Sequence, residues 1–174
     1  MEAIIEAIVN PHLEELKKRK EDKWHNSKYG AVKAAAMTPK GDFGEDVTTD
    51  LIKTIIGVFV ERKNKGKGEF DIFIALSESG ITFENKLATE DTNGSYQFNG
   101  FKKTVNFDFG FCLGVSPNDM CFGIFPKSVI DDLTVSMTKD GEDSFKLTAR
   151  LGKGRYALTP LTVENFKREI SKIV

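Results

Sequence analysis

Residues 68–86 read GEFDIFIALSESGITFENK, and the rest of the chain is arranged around this stretch. Ile72, Ile74 and Leu76 precede Ser77-Glu78-Ser79-Gly80, and Ile81 and Phe83 follow it. β-Branched, aliphatic and aromatic residues on both sides of a turn cluster predict two short strands, with Gly80 able to take a positive φ. Val58 and Val60 add an apolar strand in front. Side chains alternate faces along a strand, so Glu84 and Lys86 point one way and Asn85 the other. A hairpin that turns near Glu78 and Ser79 returns Asp71 to the side of Glu84 and Lys86. Two carboxylates and an ammonium then meet at one end of a rigid sheet. Such a grouping is unfavourable unless something binds it, and a divalent metal is the simplest occupant.

Upstream, Val47, Leu51 and Ile55, with Ile52 and Ile56, recur at helical spacing from Phe43 to about Gly57. Lys40-Gly41-Asp42 opens that helix, with Asp42 as N-cap. Glu45 stands where a capping box wants an acid, so it has a structural role to weigh against a functional one. Ala31 to Met37 is a short helix closed by Thr38-Pro39. Residues 2–20 carry an apolar stripe of Ile4, Ile5, Ile8, Val9, Leu13 and Leu16, a helix that Asn10-Pro11 could divide.

Downstream, Ala88 to Gly94 reads as a polar loop and Ser95 as the cap of a helix to about Asn106. Phe109–Ser116 and Met120–Phe125 read as a hairpin about Pro117-Asn118-Asp119. Pro126 starts a helix through Leu133, short strands and turns fill Thr134 to Leu158, and Thr162 opens a final helix. The expected fold is α/β with mixed α+β character, a central mixed sheet flanked by helices. It is one domain: an N-terminal helical region (1–42), a core (43–116) and C-terminal strands and helix (117–174).

At 174 residues the chain is long enough for one substantial core. Its net charge of −1 gives no global nucleic-acid signal. Basic residues cluster nonetheless: Lys17, Lys18, Arg19, Lys20 and Lys23 in one run, Arg62, Lys63, Lys65 and Lys67 in another. Either is a solvated face by default, but the second leads directly into Asp71, as a basic rim on an acidic pocket would. Two histidines leave no histidine-rich zinc site. Cys112 and Cys121 read as buried free thiols of a reducing compartment. The start, MEAIIEAIVN, lacks the basic region of a signal peptide, and no apolar run reaches membrane-spanning length. A cytoplasmic protein is expected.

Glu45 on the helix before the sheet, Phe70-Asp71 at one strand's start and Glu84-Asn85-Lys86 on the next resemble the PD-(D/E)xK nucleases, which include many type II restriction endonucleases. The resemblance covers roughly Phe43 to Ser116 in helix-strand-strand-strand-helix-strand order. Phe70 departs from it, standing where the motif name has Pro. A Glu-x-Lys on a strand also arises by chance, as a surface ion pair.

The resemblance implies Mg²⁺-dependent phosphodiester hydrolysis, with Mn²⁺ able to substitute. Asp71 and Glu84 would bind metal, Glu45 would hold that metal's other ligands in place or ligate a second metal, and Lys86 would orient or activate the attacking water. Gln97 and Asn99, with Tyr96, Lys102 and Lys103, would approach the DNA beside Lys63, Lys65 and Lys67, unless they are merely exposed helix residues. The favoured reading is a site-specific deoxyribonuclease acting on double-stranded DNA as a homodimer, the two copies mirroring a palindrome. A catalytic subunit needing a partner for recognition and a structure-specific repair or recombination nuclease are alternatives. So is a binding or scaffold protein with no chemistry. Nothing in the sequence reads a 2′-hydroxyl, so RNA stays open as substrate.

Overall fold

The computed structural model describes residues 10–11, 23–63, 69–76, 80–139 and 141–174. After helical residues 10–11, the described residues form helices α1 (Gly30–Ala34) and α2 (Met37–Leu51), and α2 continues into a π-helical turn at Ile52–Ile56. Gly57 closes that turn in the left-handed region at φ 76°, a conformation that favours glycine. Among the described residues nine strands follow: β1 (Val60–Arg62), β2 (Ile72–Ala75), β3 (Gly80–Thr89), β4 (Ser95–Lys102), β5 (Phe109–Val115), β6 (Met120–Pro126), β7 (Val135–Lys139), β8 (Glu142–Leu151) and β9 (Ala157–Pro160). Helix α3 (Lys127–Asp131) interrupts them after β6, and α4 (Val163–Ile170) ends the chain. The architecture is mixed α+β, a large mixed sheet with few helices, as the sequence predicts.

The sheet runs β1-β2-β3-β5-β6-β9-β8-β4, with β7 beside β8. Strands β1, β2 and β3 form the expected antiparallel meander, with Ile72 opposite Phe83 and Ile74 opposite Ile81. Strands β3 and β5 pair in parallel, which places Glu84 opposite Gly110 and Lys86 opposite Cys112. Each face of the sheet has its own core. On one, Ile72, Phe83, Phe111, Leu113 and Phe122 pack with Ile52, Phe166 and Ile170 from the helical segments. Phe111 and Phe122 stack at 5.9 Å, and Phe166 closes on Phe122 at 5.4 Å. On the other, Ala88 and Cys112 meet the inner face of the β4–β8 ribbon through Phe98, Phe101, Phe145 and Leu147. Both cysteines are free and buried.

Several local expectations need correction. Residues 95–102 are strand, not helix, and β4 pairs with β8 along its length. Phe98 and Phe101 carry helical spacing because Gly100, at φ 83°, sits at a register shift between them. A bulge adds one residue and turns a period of two into an apparent period of three. The helix expected to open at Asp42 begins at Met37, after the N-cap Ala36. Pro39 lies in its first turn, where a missing N–H leaves no bond unmade, so it starts this helix rather than closing α1. Asp42 is therefore helical and caps nothing. The loop expected from Ala88 is strand as far as Thr89. The helix expected over residues 2–20 lies outside the described residues except at Asn10 and Pro11, which are helical. Thr162 caps α4 as expected, its side chain accepting from the Asn165 N–H.

The stacked phenylalanines make the core's sensitivity measurable. Phe111→Ala is expected to lower stability by about 3–5 kcal/mol through lost burial and a residual cavity. Urea unfolding should show a lower midpoint at an unchanged slope. A midpoint equal to wild type would contradict this packing.

Candidate functional site

Strand β3 is covered on both faces, so its alternation sorts charged from structural residues. Asn85 faces α2, where its Oδ1 accepts from the Thr48 hydroxyl at 2.9 Å. Two residues on, Leu87 packs against Gly44 of α2, where an added Cβ would lie 3.0 Å from the Leu87 Cβ. Glu84 and Lys86 take the other face, toward the β4–β8 ribbon, and the Lys86 Nζ lies 5.8 Å from the centre of the Phe101 ring.

Asp71 immediately precedes β2, and the backbone fixes it on both sides. Its N–H donates to the Phe83 carbonyl at 2.9 Å, and its carbonyl accepts from the Lys63 N–H at 2.9 Å. Its Oδ2 accepts the Asn85 N–H at 2.8 Å. The Lys86 ammonium donates to the Glu84 Oε1. Asp71, Glu84 and Lys86 thus stand together, as the hairpin reading requires. Asp71 and Glu84 are each only 6% exposed. Burial first, and the negative charge of Glu84 next, push the Asp71 carboxyl up from 3.8 to about 6, with Glu45 adding in the same direction. Asp71 therefore lies in the field of two other carboxylates, and Lys86 offsets it only in part.

Glu45 reaches this end of the sheet from α2. Its Oε2 accepts from the Arg62 Nε at 2.9 Å, and Arg62 also donates to Asp42 and Asp46 at 2.7 Å each. Arg62 ends β1 opposite Ile72. The sequence places Arg62 only in a basic run and misses this role. Its signal was available: Asp42, Glu45 and Asp46 share one face of a helix at spacings of three and four. Among the described residues, no three His, Cys, Asp or Glu side chains gather closely enough to hold one ion. The oxygen-only pair of Asp71 and Glu84 suits a hard cation that keeps most of its water, such as Mg²⁺.

The proposed DNA contacts are dispersed. Lys63 pairs with Glu61 at 2.9 Å, and Lys65 and Lys67 lie outside the described residues. Tyr96 faces inward at 3% exposure, at the end of β4 away from Lys86. Gln97 and Asn99 are exposed on the outer face of β4. Lys102 pairs with Glu142, and the Lys103 ammonium lies 4.9 Å above the Phe145 ring.

Among the described residues, no helix is long and apolar enough to cross a membrane. No family model matches the chain, and no curated protein matches it. Similar solved structures include a bacterial homing endonuclease, I-Ssp6803I, at TM-score 0.47 and 13% identity, covering 79% of this chain and 96% of that one. MepB is similar at TM-score 0.38 and 13% identity, covering 72% of this chain and 93% of its own. Likeness this distant assigns no activity.

The raised Asp71 carboxyl makes stability depend on pH. The folded chain holds this proton more tightly than the unfolded one, so its contribution is full below about pH 4 and is lost as pH rises through about 6. Asp71→Asn keeps an acceptor for the Asn85 N–H but carries no charge. It should exceed wild type in stability at pH 8 by about 1–3 kcal/mol, and lose that advantage near pH 4. Urea midpoints across this range measure it, and a difference independent of pH would contradict the assignment.

Proposed function

We propose that this chain is a Mg²⁺-dependent endonuclease that hydrolyses phosphodiester bonds of double-stranded DNA at Asp71, Glu84 and Lys86. The observation that carries this is the pairing of two buried carboxylates beside an ammonium, at the end of a strand pair whose backbone holds each residue. Burial and mutual repulsion leave Asp71 short of positive charge at neutral pH, which favours cation binding.

Asp71 and Glu84 would hold the ion through oxygen. When bound there, Mg²⁺ supplies a Lewis acid for a phosphate oxygen and lowers the pKa of its water. Mn²⁺, with the same taste for oxygen, would substitute. Lys86 is restrained by Glu84 and by packing over Phe101, yet its side chain keeps 21% exposure. Its ammonium can therefore meet a phosphate from solvent, hold the attacking water and offset charge that builds at phosphorus. Glu45 contributes negative charge to the same end of the sheet. The basic segment from Lys63 through Lys65 and Lys67 leads into Asp71 and would draw the DNA backbone toward it.

The finer reading is a site-specific enzyme of restriction type. Two copies across a two-fold axis would place one reacting centre on each strand of a palindromic site. Lys86→Ala should lose at least about 100-fold of the cleavage rate, because it removes a positioned charge and leaves the cores intact. Asp71→Ala and Glu84→Ala should abolish cleavage. Unmethylated plasmid or phage DNA with Mg²⁺ tests this, and discrete fragments lost in the variants are the expected result. With Ca²⁺ in place of Mg²⁺, DNA should be retained in a gel-shift assay but left uncut, since Ca²⁺ takes the same oxygens with looser geometry. Wild-type cutting by any two of the three variants would defeat the site assignment. Cleavage of branched DNA only, or only with a partner protein, would replace the restriction reading.

A further inference from the structure

A further basic surface lies on the ribbon that covers Lys86. Residues 92–107 and 144–163 contain no Asp or Glu, yet carry Lys102, Lys103, Lys146, Arg150, Lys153 and Arg155. In a chain of net charge −1 this is a marked segregation of sign. Strands β4 and β8 sort these segments by face. Tyr96, Phe98, Leu147 and Ala149 are buried beneath the ribbon, whereas Gln97, Asn99, Lys146, Thr148 and Arg150 are exposed on its outer side. Along these positions the outer side holds amides, a hydroxyl and cations, with neither acid nor apolar residue.

The backbone here is a two-stranded ribbon. Strand β4 is an edge of the sheet, and β8 pairs with β7 only as far as Phe145 and with β9 only from Arg150. Between those points, among the described residues, β8 has β4 alone beside it. Gln97 stands opposite Thr148, and Lys146 faces the register shift at Asn99 and Gly100. Two strands about 4.8 Å apart make a ribbon that enters the major groove of B-DNA, which is about 12 Å wide. The side chains on its outer side are largely uncommitted. Among the described residues, Lys146, Thr148 and Lys153 have no hydrogen-bond or ion-pair partner. The Asn99 Nδ2 donates to the Gln97 carbonyl at 3.4 Å, the Gln97 Nε2 to Asp91 at 3.5 Å, and the Arg150 Nε to the Ser95 hydroxyl at 3.0 Å. The acids at the two ends of the ribbon are occupied. Asp91 accepts the backbone N–H groups of Asn93 and Ser95, and Glu142 takes Lys102 and Thr104.

We propose that the outer face of the β4–β8 ribbon lies in the DNA major groove and is where this chain reads sequence. Gln97 and Asn99 present the carboxamide that pairs with adenine N6 and N7, and Thr148 adds a hydroxyl beside them. Lys146 and Arg150 supply the cations that meet phosphate. An anionic membrane calls for apolar side chains that enter it, and this face has none. Double-stranded RNA is a poorer match, because side chains cannot read its deep, narrow major groove. Strand β4 also carries Phe101 beneath Lys86, so the reading face and the reacting ammonium share one rigid element. This rests on the duplex-DNA substrate proposed above and adds the residues that set its specificity.

Selection of bound duplexes from a pool with a randomised central segment, by the full chain in Ca²⁺, tests the proposal. Wild type should enrich a motif, and Lys86→Ala should enrich the same one. Gln97→Ala/Thr148→Ala should lose about 10-fold of the discrimination at one or more positions, with little change in affinity for unselected duplex. Lys146→Ala/Arg150→Ala should weaken binding to all duplexes and reduce the slope of log affinity against log salt by about 2. The substituted side chains are exposed, so urea midpoints should stay at the wild-type value. Gln97→Met and Lys146→Gln, which keep side-chain volume, repeat the test if an alanine variant does not fold. An unchanged motif and salt slope in the ribbon variants, or a wild type that binds duplexes with no motif, would overturn the proposal and leave the nuclease standing. So would ribbon variants that lose binding to double-stranded RNA while duplex DNA binding is untouched. Failure of wild type to bind duplex DNA at all would defeat the substrate on which the proposal rests.

Discussion

The parallel pairing of β3 with β5 is the constraint on which the rest of this structure depends. A strand in the middle of a sheet with both faces covered has nowhere to send a charged side chain except toward another charge. Helices α2 and α4 cover one face, and the β4–β8 ribbon covers the other. Phe83, Asn85 and Leu87 are thereby committed to the helical side, and Glu84, Lys86 and Ala88 to the ribbon side. A slip of one residue in register would exchange these sets and bury two charges among phenylalanines. The same alternation that builds two cores thus delivers an acid and an ammonium to one place.

Charge brought together in this way must be balanced locally, and the structure does so on two levels. Lys86 answers Glu84 within one strand, two residues apart on one face. Arg62 answers Glu45 from across the helix–sheet junction, with Asp42 and Asp46 holding its other nitrogens. Among the described residues, Asp71 has only a backbone N–H as a direct donor, and burial with the nearby Glu84 charge pushes its carboxyl up to about 6. A single N–H cannot offset burial combined with two neighbouring negative charges. The imbalance is thus concentrated on one residue, held rigidly at a strand end.

How much of this was legible in sequence depended on whether the signal was local. The meander, the hairpin at Pro117-Asn118-Asp119 and the cap at Thr162 follow from period, turn chemistry and capping, and all three stand in the structure. The grouping of Asp71, Glu84 and Lys86 was legible for the same reason, since a short hairpin fixes who meets whom. Strand β4 was not. Gly100 breaks its alternation, and the resulting spacing of Phe98 and Phe101 imitates a helix until β8 is seen to pair with it. Arg62 was hidden differently. Lys63, Lys65 and Lys67 follow it in sequence, and its partners lie 16 to 20 residues earlier on α2. A charge run suggests a solvated face, and only the packing of α2 against β1 turns one member inward.

This division has a consequence for how such a site tolerates change. Lys86 and Glu84 depend on strand register, which two hydrophobic cores and the pairing with β5 enforce together. Arg62 depends on one helix keeping its angle to the sheet, set by the contact of Gly44 with Leu87 and the bond of Thr48 to Asn85. A side chain at Gly44 would stand 3.0 Å from the Leu87 Cβ and 3.1 Å from the Asn85 amide nitrogen, so these neighbours or α2 would have to give by a few tenths of an ångström. The close helix–strand contact is therefore part of the electrostatics of the site, because it holds opposite charges from different elements within bonding distance.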